Sequence, residues 1–186
     1  IDNILALAGD PPSDGSPATG DFTYASELVD LVRERGTFSV AVAAFPEGHP
    51  RSATLEQDRR HLASKLESAD FAITQFFFRA EDYLRMRDDL AALGCDRPVL
   101  PGIMPMLNPT VIRRFAAMNG AWFPDDLAQR VAGADPDDAA RIATEAAAAL
   151  CEELLAEGVP GLHLYCLNRS AVALGILEAL EPAASH

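Results

Sequence analysis

The 186 residues are 49% apolar and 23% charged, an ordinary globular composition with enough apolar material for a substantial core. Twenty-eight acidic against fifteen basic residues give a net charge of −13, which repels phosphodiester backbones, so no nucleic-acid partner is expected. No apolar run approaches the roughly 20 residues that span a bilayer, so no membrane association is expected. Three cysteines, Cys95, Cys151 and Cys166, fit no metal-ligand spacing; free thiols in a reducing, cytoplasmic compartment are the expectation. The chain opens at Ile1 with no basic n-region or cleavage signal, and a targeting segment could lie upstream.

The first apolar run, residues 4–8, predicts a strand, and the Pro/Gly/Ser-rich segment 10–20 after it is long for a mere connector. Residues 24–35 then place Leu28, Leu31 and Val32 on one helical face. A second strand is expected over 39–44, and a helix over 55–68 repeats Leu55, Leu62 and Leu66. A strand at 71–75, a helix at 81–93, a strand at 99–103 and a long helix at 136–157 follow. A strand at 162–165 and a helix at 170–180 close the series. The strands are apolar almost throughout, as parallel strands covered on both faces are. Gly36, Gly94 and Gly158 each sit just past a helix, where a left-handed cap favours glycine. Acidic groups such as Asp125-Asp126 and Asp135-Asp137-Asp138 are read as solvated helix surface.

Five strand–helix units in one domain are therefore expected, an α/β fold. Polar residues gather just after the strands: Asp10, then Glu47 and His49, then Gln75, then Asn168-Arg169. The carboxyl ends of parallel strands form the ligand face in open sheets and in barrels alike. Two architectures compete. A doubly wound sheet would carry a Gly-rich phosphate turn after its first strand, yet this turn reads Ala-Gly-Asp-Pro-Pro. The units equally fit part of an eight-stranded barrel. His49 and His61 have no third ligand at useful spacing, so no metal is expected.

Six motifs make the reading specific. They are Ala8-Gly9-Asp10-Pro11-Pro12, Tyr24-Ala25, Phe45-Pro46-Glu47-Gly48-His49-Pro50, Ile73-Thr74-Gln75-Phe76-Phe77-Phe78, Pro101-Gly102-Ile103-Met104-Pro105 and the run from Gly161 to Arg169. In this order and spacing the chain resembles the catalytic domain of methylenetetrahydrofolate reductases. The resemblance implies a (β/α)8 TIM barrel of which strands 4–8 and their helices are present and the first three βα units are missing. Residues 1–186 would be the C-terminal portion of that single flavin- and folate-binding domain.

The implied activity is reduction of 5,10-methylenetetrahydrofolate to 5-methyltetrahydrofolate with NAD(P)H and FAD, in the one-carbon metabolism that serves methionine biosynthesis; a homo-oligomer is expected. The family's general-acid glutamate would lie upstream, so no residue here takes that role. Glu47 is read instead as a loop carboxylate shaping the turn before His49. Asp10 would sit by the flavin ring and the pterin, where a negative charge disfavours the anionic reduced flavin. Gly9, Tyr24, Ala25, His49, Asp58, His61 and Lys65 match flavin contacts. Lys65 would approach the pyrophosphate and Asp58 the ribityl or ribose hydroxyls. Gln75, Phe115 and Arg169 match folate contacts, with Gln75 against the pterin. His163 reads as a hydrogen-bonded core histidine. Ala8, Phe45 and Cys166 stand where family members often carry arginine, tyrosine and threonine. Two alternatives remain open: a non-catalytic or interaction module derived from the same barrel, or another folate- or flavin-using barrel enzyme.

Overall fold

The computed structural model describes residues 1–7 and 20–180. Along the chain these form β1 (Asn3–Ala6), α1 (Ala25–Arg35), β2 (Ser39–Ala44), α2 (Leu55–Ser68), β3 (Phe71–Phe76), α3 (Ala80–Ala92), β4 (Val99–Ile103), α4 (Pro109–Asn119), α5 (Asp125–Ala132), α6 (Pro136–Ala156), β5 (His163–Leu164) and α7 (Ser170–Leu180). Ala8, Gly9, Asp10 and the segment through residue 19 lie outside the described residues.

All four strand pairings are parallel, and the strand order is β1-β2-β3-β4-β5 without interruption. This order decides between the two architectures. A doubly wound sheet reverses its strand order at a switch point, which puts helices on both faces. Consecutive order with one hand of crossover puts every covering helix on one face, as in a barrel segment. The contacts agree: α1 meets α2, α2 meets α3, α3 meets α6 and α6 meets α7 in a single layer.

The main core lies between that layer and the sheet. Val40, Val42 and Ala44 of β2, Ala72 of β3 and Val99 and Ile103 of β4 pack there with Leu62, Leu66, Met86 and Leu154 from the helices. Alternate residues point to the other face. That face is only partly covered, so the expectation of strands buried on both sides needs correction: Leu5 is exposed, and Phe71, Ile73 and Gln75 are intermediate between the buried Ala72, Thr74 and Phe76.

Three helices rather than one follow β4. The two shorter ones were not anticipated, although Asn108 before Pro109 and Gly120 after Asn119 are ordinary start and stop signals. Asn108 caps α4 by accepting the Val111 N–H, and Gly120 ends it in the left-handed region at φ 68°. With α5 this helix builds a second cluster at the carboxyl side of β3 and β4, around Phe76, Met104, Met106 and Ile112. Asp135, read as solvated surface, is the α6 cap and accepts the N–H groups of Asp137 and Asp138. Gly94 and Gly158 are left-handed as expected, at φ 77° and 76°; Gly36 is extended instead.

Candidate functional site

Gln75 is the penultimate residue of β3 and sits on the half-covered face of the sheet. The pairing of β3 with β4 shifts register between Ile73 and Phe76, beside this residue. Thr74 accounts for the shift. Its Oγ1 accepts the Gly102 N–H at 2.7 Å, and its carbonyl accepts the Tyr165 hydroxyl at 2.8 Å. Side chains thus replace ladder bonds, as at the irregularities that re-aim residues near functional sites. Gln75 then opens into a small cleft with Phe45, Pro46, Glu47, Phe76 and Asn119. Its Oε1 accepts from Asn119 Nδ2 at 3.3 Å.

A second group forms where the loop leaving β2 meets α2. Thr54 caps α2 by accepting the Gln57 N–H. This turns Asp58 inward, and it is only 6% exposed rather than part of a solvated stripe. Asp58 Oδ1 accepts the His49 N–H and the Ser52 hydroxyl, both at 3.0 Å; Oδ2 pairs with Arg59 at 3.0 Å. Arg59, 2% exposed, also donates to the carbonyls of Phe45 and Pro46. Two buried, opposite charges therefore hold the loop 45–52.

The Phe45 and His49 rings meet edge to face at 4.4 Å, which links this group to the Gln75 cleft. Lys65 is half-buried and donates to the Ala43 carbonyl at 3.0 Å. Burial lowers its pKa, and the Asp58 charge opposes that shift. The His49 pKa is lowered too, by burial first and then by Arg51.

Glu47 departs from its expected role. Asp58, rather than Glu47, shapes the turn before His49. Glu47 Oε2 instead accepts the Trp122 N–H at 2.5 Å, tying this loop to the segment after α4. Its side chain is 12% exposed, and Arg79 lies 3.7 Å away, beyond hydrogen-bond distance. Oε1 is buried and meets no donor. Asp82 is the neighbouring carboxylate, 1% exposed and already bound by Arg79 and Arg85. A second carboxylate beside an oxygen that meets no donor disfavours the ionised form of Glu47. Accordingly, burial and then the neighbouring Asp82 push its pKa up to about 7, against the Trp122 N–H. Arg79 also lies over the Trp122 ring at 4.6 Å. Sequence reasoning missed Asn119, Trp122 and Arg79, which no local pattern connects to Glu47 or Gln75.

The other expected residues are more dispersed. Tyr24 caps α1 and is 70% exposed; Glu27 reaches back to its N–H at 2.7 Å. Ala25 follows at the helix start. His61 is exposed on α2. Phe115 packs into the cluster around α4 rather than into the Gln75 cleft. Arg169 is exposed after β5, its N–H closing a turn on the Cys166 carbonyl at 2.8 Å, next to left-handed Leu167 and Asn168. His163 is half-buried at the strand edge, not in the core, with its ring 4.7 Å from that of Tyr165. Gly9 and Asp10 lie outside the described residues. Among the described residues no group of three or more His, Cys, Asp or Glu could hold a metal, and no helix is long and apolar enough to cross a membrane.

Comparison with known proteins bears on these groupings. The family model "Methylenetetrahydrofolate reductase" matches residues 1–181. A 5,10-methylenetetrahydrofolate reductase of Escherichia coli is 39% identical over 184 residues, 97% of this chain and 61% of that protein. The enzyme of the same name from Pectobacterium carotovorum is 37% identical over 183 residues, 97% of this chain and 60% of that protein. The chain thus spans about three-fifths of the length of these relatives. A solved structure of an uncharacterized Clostridium thermocellum protein, which binds two copies of 5-methyl-5,6,7,8-tetrahydrofolic acid, has a TM-score of 0.55 at 15% identity, covering 83% of this chain and 57% of that one. It supports the fold.

Proposed function

The chain belongs to the methylenetetrahydrofolate reductase family, and we propose that it supplies the cofactor- and folate-facing rim of an enzyme that reduces 5,10-methylenetetrahydrofolate to 5-methyltetrahydrofolate with NAD(P)H and FAD. The observation that carries this reading is the grouping at the carboxyl ends of β2 and β3. A half-buried ammonium, Lys65, bonds to the Ala43 carbonyl just before the Phe45–His49 loop, and the Gln75 amide opens into a cleft that Phe45, Pro46 and Glu47 of that loop line.

The residues suit a flavin dinucleotide. Lys65 uses one described hydrogen bond, to Ala43, so further N–H donors remain for a phosphate oxygen. Half-burial strengthens such a contact, because water screens it less. Both oxygens of Asp58 are already engaged, so its contribution is to place His49 and the loop around it. Tyr24 and His61 are exposed and accessible to a ligand. Asp10, outside the described residues, keeps its proposed place beside the ring. Bound FAD would supply a two-electron carrier between NAD(P)H and the folate.

Gln75 would meet the pterin edge, with Arg169 and Phe115 as further proposed folate contacts. An amide suits a ligand with a ring N–H, a carbonyl and an amine. The test uses the intact protein, purified with its flavin. Gln75→Glu keeps the shape of the side chain but removes its donor. Folate reduction should fall by about 5- to 150-fold, the range for a lost hydrogen bond of 1–3 kcal/mol. Flavin reduction by NAD(P)H should change far less. A protein that carries no flavin absorption band and consumes no NAD(P)H with folate would refute the proposed function. Equal losses in both half-reactions would remove Gln75 from the folate site.

A further inference from the structure

A strand is aimed by its ladders, because each peptide group bonded to a neighbouring strand holds the side chains on either side of it in place. Gln75 falls where both ladders of β3 lapse. The pairing with β2 ends at Thr74, and the pairing with β4 passes from Ile73 directly to Phe76. Among the described residues Gln75 thus has a ladder partner on neither side, although it is the residue of this strand end that opens into the cleft.

Two side-chain hydrogen bonds stand in for the lapsed ladder, and both act on the residue before Gln75. Thr74 Oγ1 accepts the Gly102 N–H at 2.7 Å, and the Thr74 carbonyl accepts the Tyr165 hydroxyl at 2.8 Å. Neither can run the other way, because a backbone N–H only donates and a carbonyl only accepts. That carbonyl belongs to the peptide unit that ends at the Gln75 Cα, and a peptide unit is planar. Holding its oxygen therefore holds the plane from which Gln75 departs.

Tyr165 is itself anchored. Its own N–H bonds to the Ile103 carbonyl at 2.8 Å, directly after β5, and its ring meets that of His163 edge to face at 4.7 Å. The ring crosses β4 at Gly102, where a Cβ would lie 2.6 Å from it. Burial raises the Tyr165 pKa above its ordinary value, so the hydroxyl keeps the proton that it donates. One side chain thus ties the end of β5 to β3 over the strand between them, across 91 positions of sequence.

We propose that Tyr165 is a positioning residue for the folate half-reaction: through the Thr74 carbonyl it fixes the peptide that presents Gln75 to the folate. The inference rests on the reading of Gln75 as a folate contact and adds the residue that holds this contact in place. Tyr165 acts through the backbone that carries Gln75 and touches no reacting atom.

The experiment measures binding of 5-methyltetrahydrofolate to the intact, flavin-loaded protein by calorimetry, with both half-reactions followed by stopped flow. Tyr165→Phe keeps the ring over Gly102 and removes only the hydroxyl. Folate binding should weaken about 3- to 10-fold, the worth of roughly one hydrogen bond. Flavin reduction by NAD(P)H should stay within about 2-fold. Equal losses in both half-reactions would overturn the proposal, since a general loosening of the sheet spares neither. In a Gln75→Leu background Tyr165→Phe should cost nothing further, because a residue acting through Gln75 is silent without it. Losses that add in the double variant, or wild-type binding in Tyr165→Phe while Gln75→Leu binds weakly, would overturn the role of Tyr165 and leave the folate contact standing. Unchanged binding in Gln75→Leu itself overturns the folate contact, and the inference with it.

Discussion

The carboxylate of Asp58 accepts the backbone N–H of His49 at 3.0 Å while its other oxygen pairs with Arg59. One buried side chain in the first turn of α2 thereby holds the loop leaving β2. Asp58→Ala should cost about 3 kcal/mol, the low end for breaking a buried ion pair, since Asp89 and two carbonyls still engage Arg59. Urea denaturation of the intact protein measures this. A wild-type midpoint combined with lost flavin would mean that Asp58 contacts the cofactor directly and that the loop does not need it.

Lys65 tests the cofactor assignment. Its side chain is half-buried and its ammonium reaches the Ala43 carbonyl. Lys65→Ala should weaken flavin retention by roughly 1.5–3 kcal/mol, the range for hydrogen bonds to a charged group. Lys65→Met keeps the stem and should weaken retention similarly. Flavin released on dilution and counted by its fluorescence reports the loss. Full retention in the methionine variant would show that the charge does not touch the cofactor.

Glu47 makes stability depend on pH. Its pKa rises from 4.5 to about 7 on folding, so between these values the native state holds a proton that the unfolded chain has released. Stability is therefore fully present below pH 4.5 and declines as pH rises through about 7, by on the order of 1–3 kcal/mol. Glu47→Gln keeps a donor toward Asp82 and cannot titrate. Its stability should not show this decline, so the two denaturation curves should separate between pH 5 and 8, windows taken from the same linkage. Parallel pH profiles would mean that Glu47 is ionised throughout.

Gly102 allows the close approach of β4 to Thr74. A Cβ there would collide with the Thr74 carbonyl oxygen and lie 2.6 Å from the Tyr165 ring. Gly102→Ala should destabilise by about 1–3 kcal/mol, as overpacking does. Tyr165→Ala in the same protein, which removes the ring, should not rescue it, because the obstructing Thr74 atom is backbone. A full rescue would place the clash in the side chain and show that the strand can move.

Much of the architecture was readable along the chain because it depends on local rules. Apolar runs, helical periodicity and glycine caps placed all five strands and five of the seven described helices near their observed bounds. The short helices α4 and α5 escaped. Their apolar faces are brief, and they are secured by the cluster around Phe76 and Met106 that they themselves build. Gly36 was misread because a glycine after a helix marks an ending without specifying its backbone angles.

The candidate site divides along the same line. His49, Asp58, Lys65 and Gln75 could be named from motifs, since these lie within short, ordered stretches of chain. What each side chain does could not. Asp58 serves the loop because Arg59 and Ser52 meet it there. Glu47 faces Trp122, 75 residues away, and Gln75 faces Asn119, 44 residues away. By itself the sequence determined the series of strands and helices and the family resemblance, because both are written in the order and spacing of neighbouring residues. Only the tertiary structure decided the single helix layer, the raised pKa of Glu47 and the contact between Gln75 and Asn119. Those depend on burial and on partners that the strand crossovers bring together from far apart in the chain.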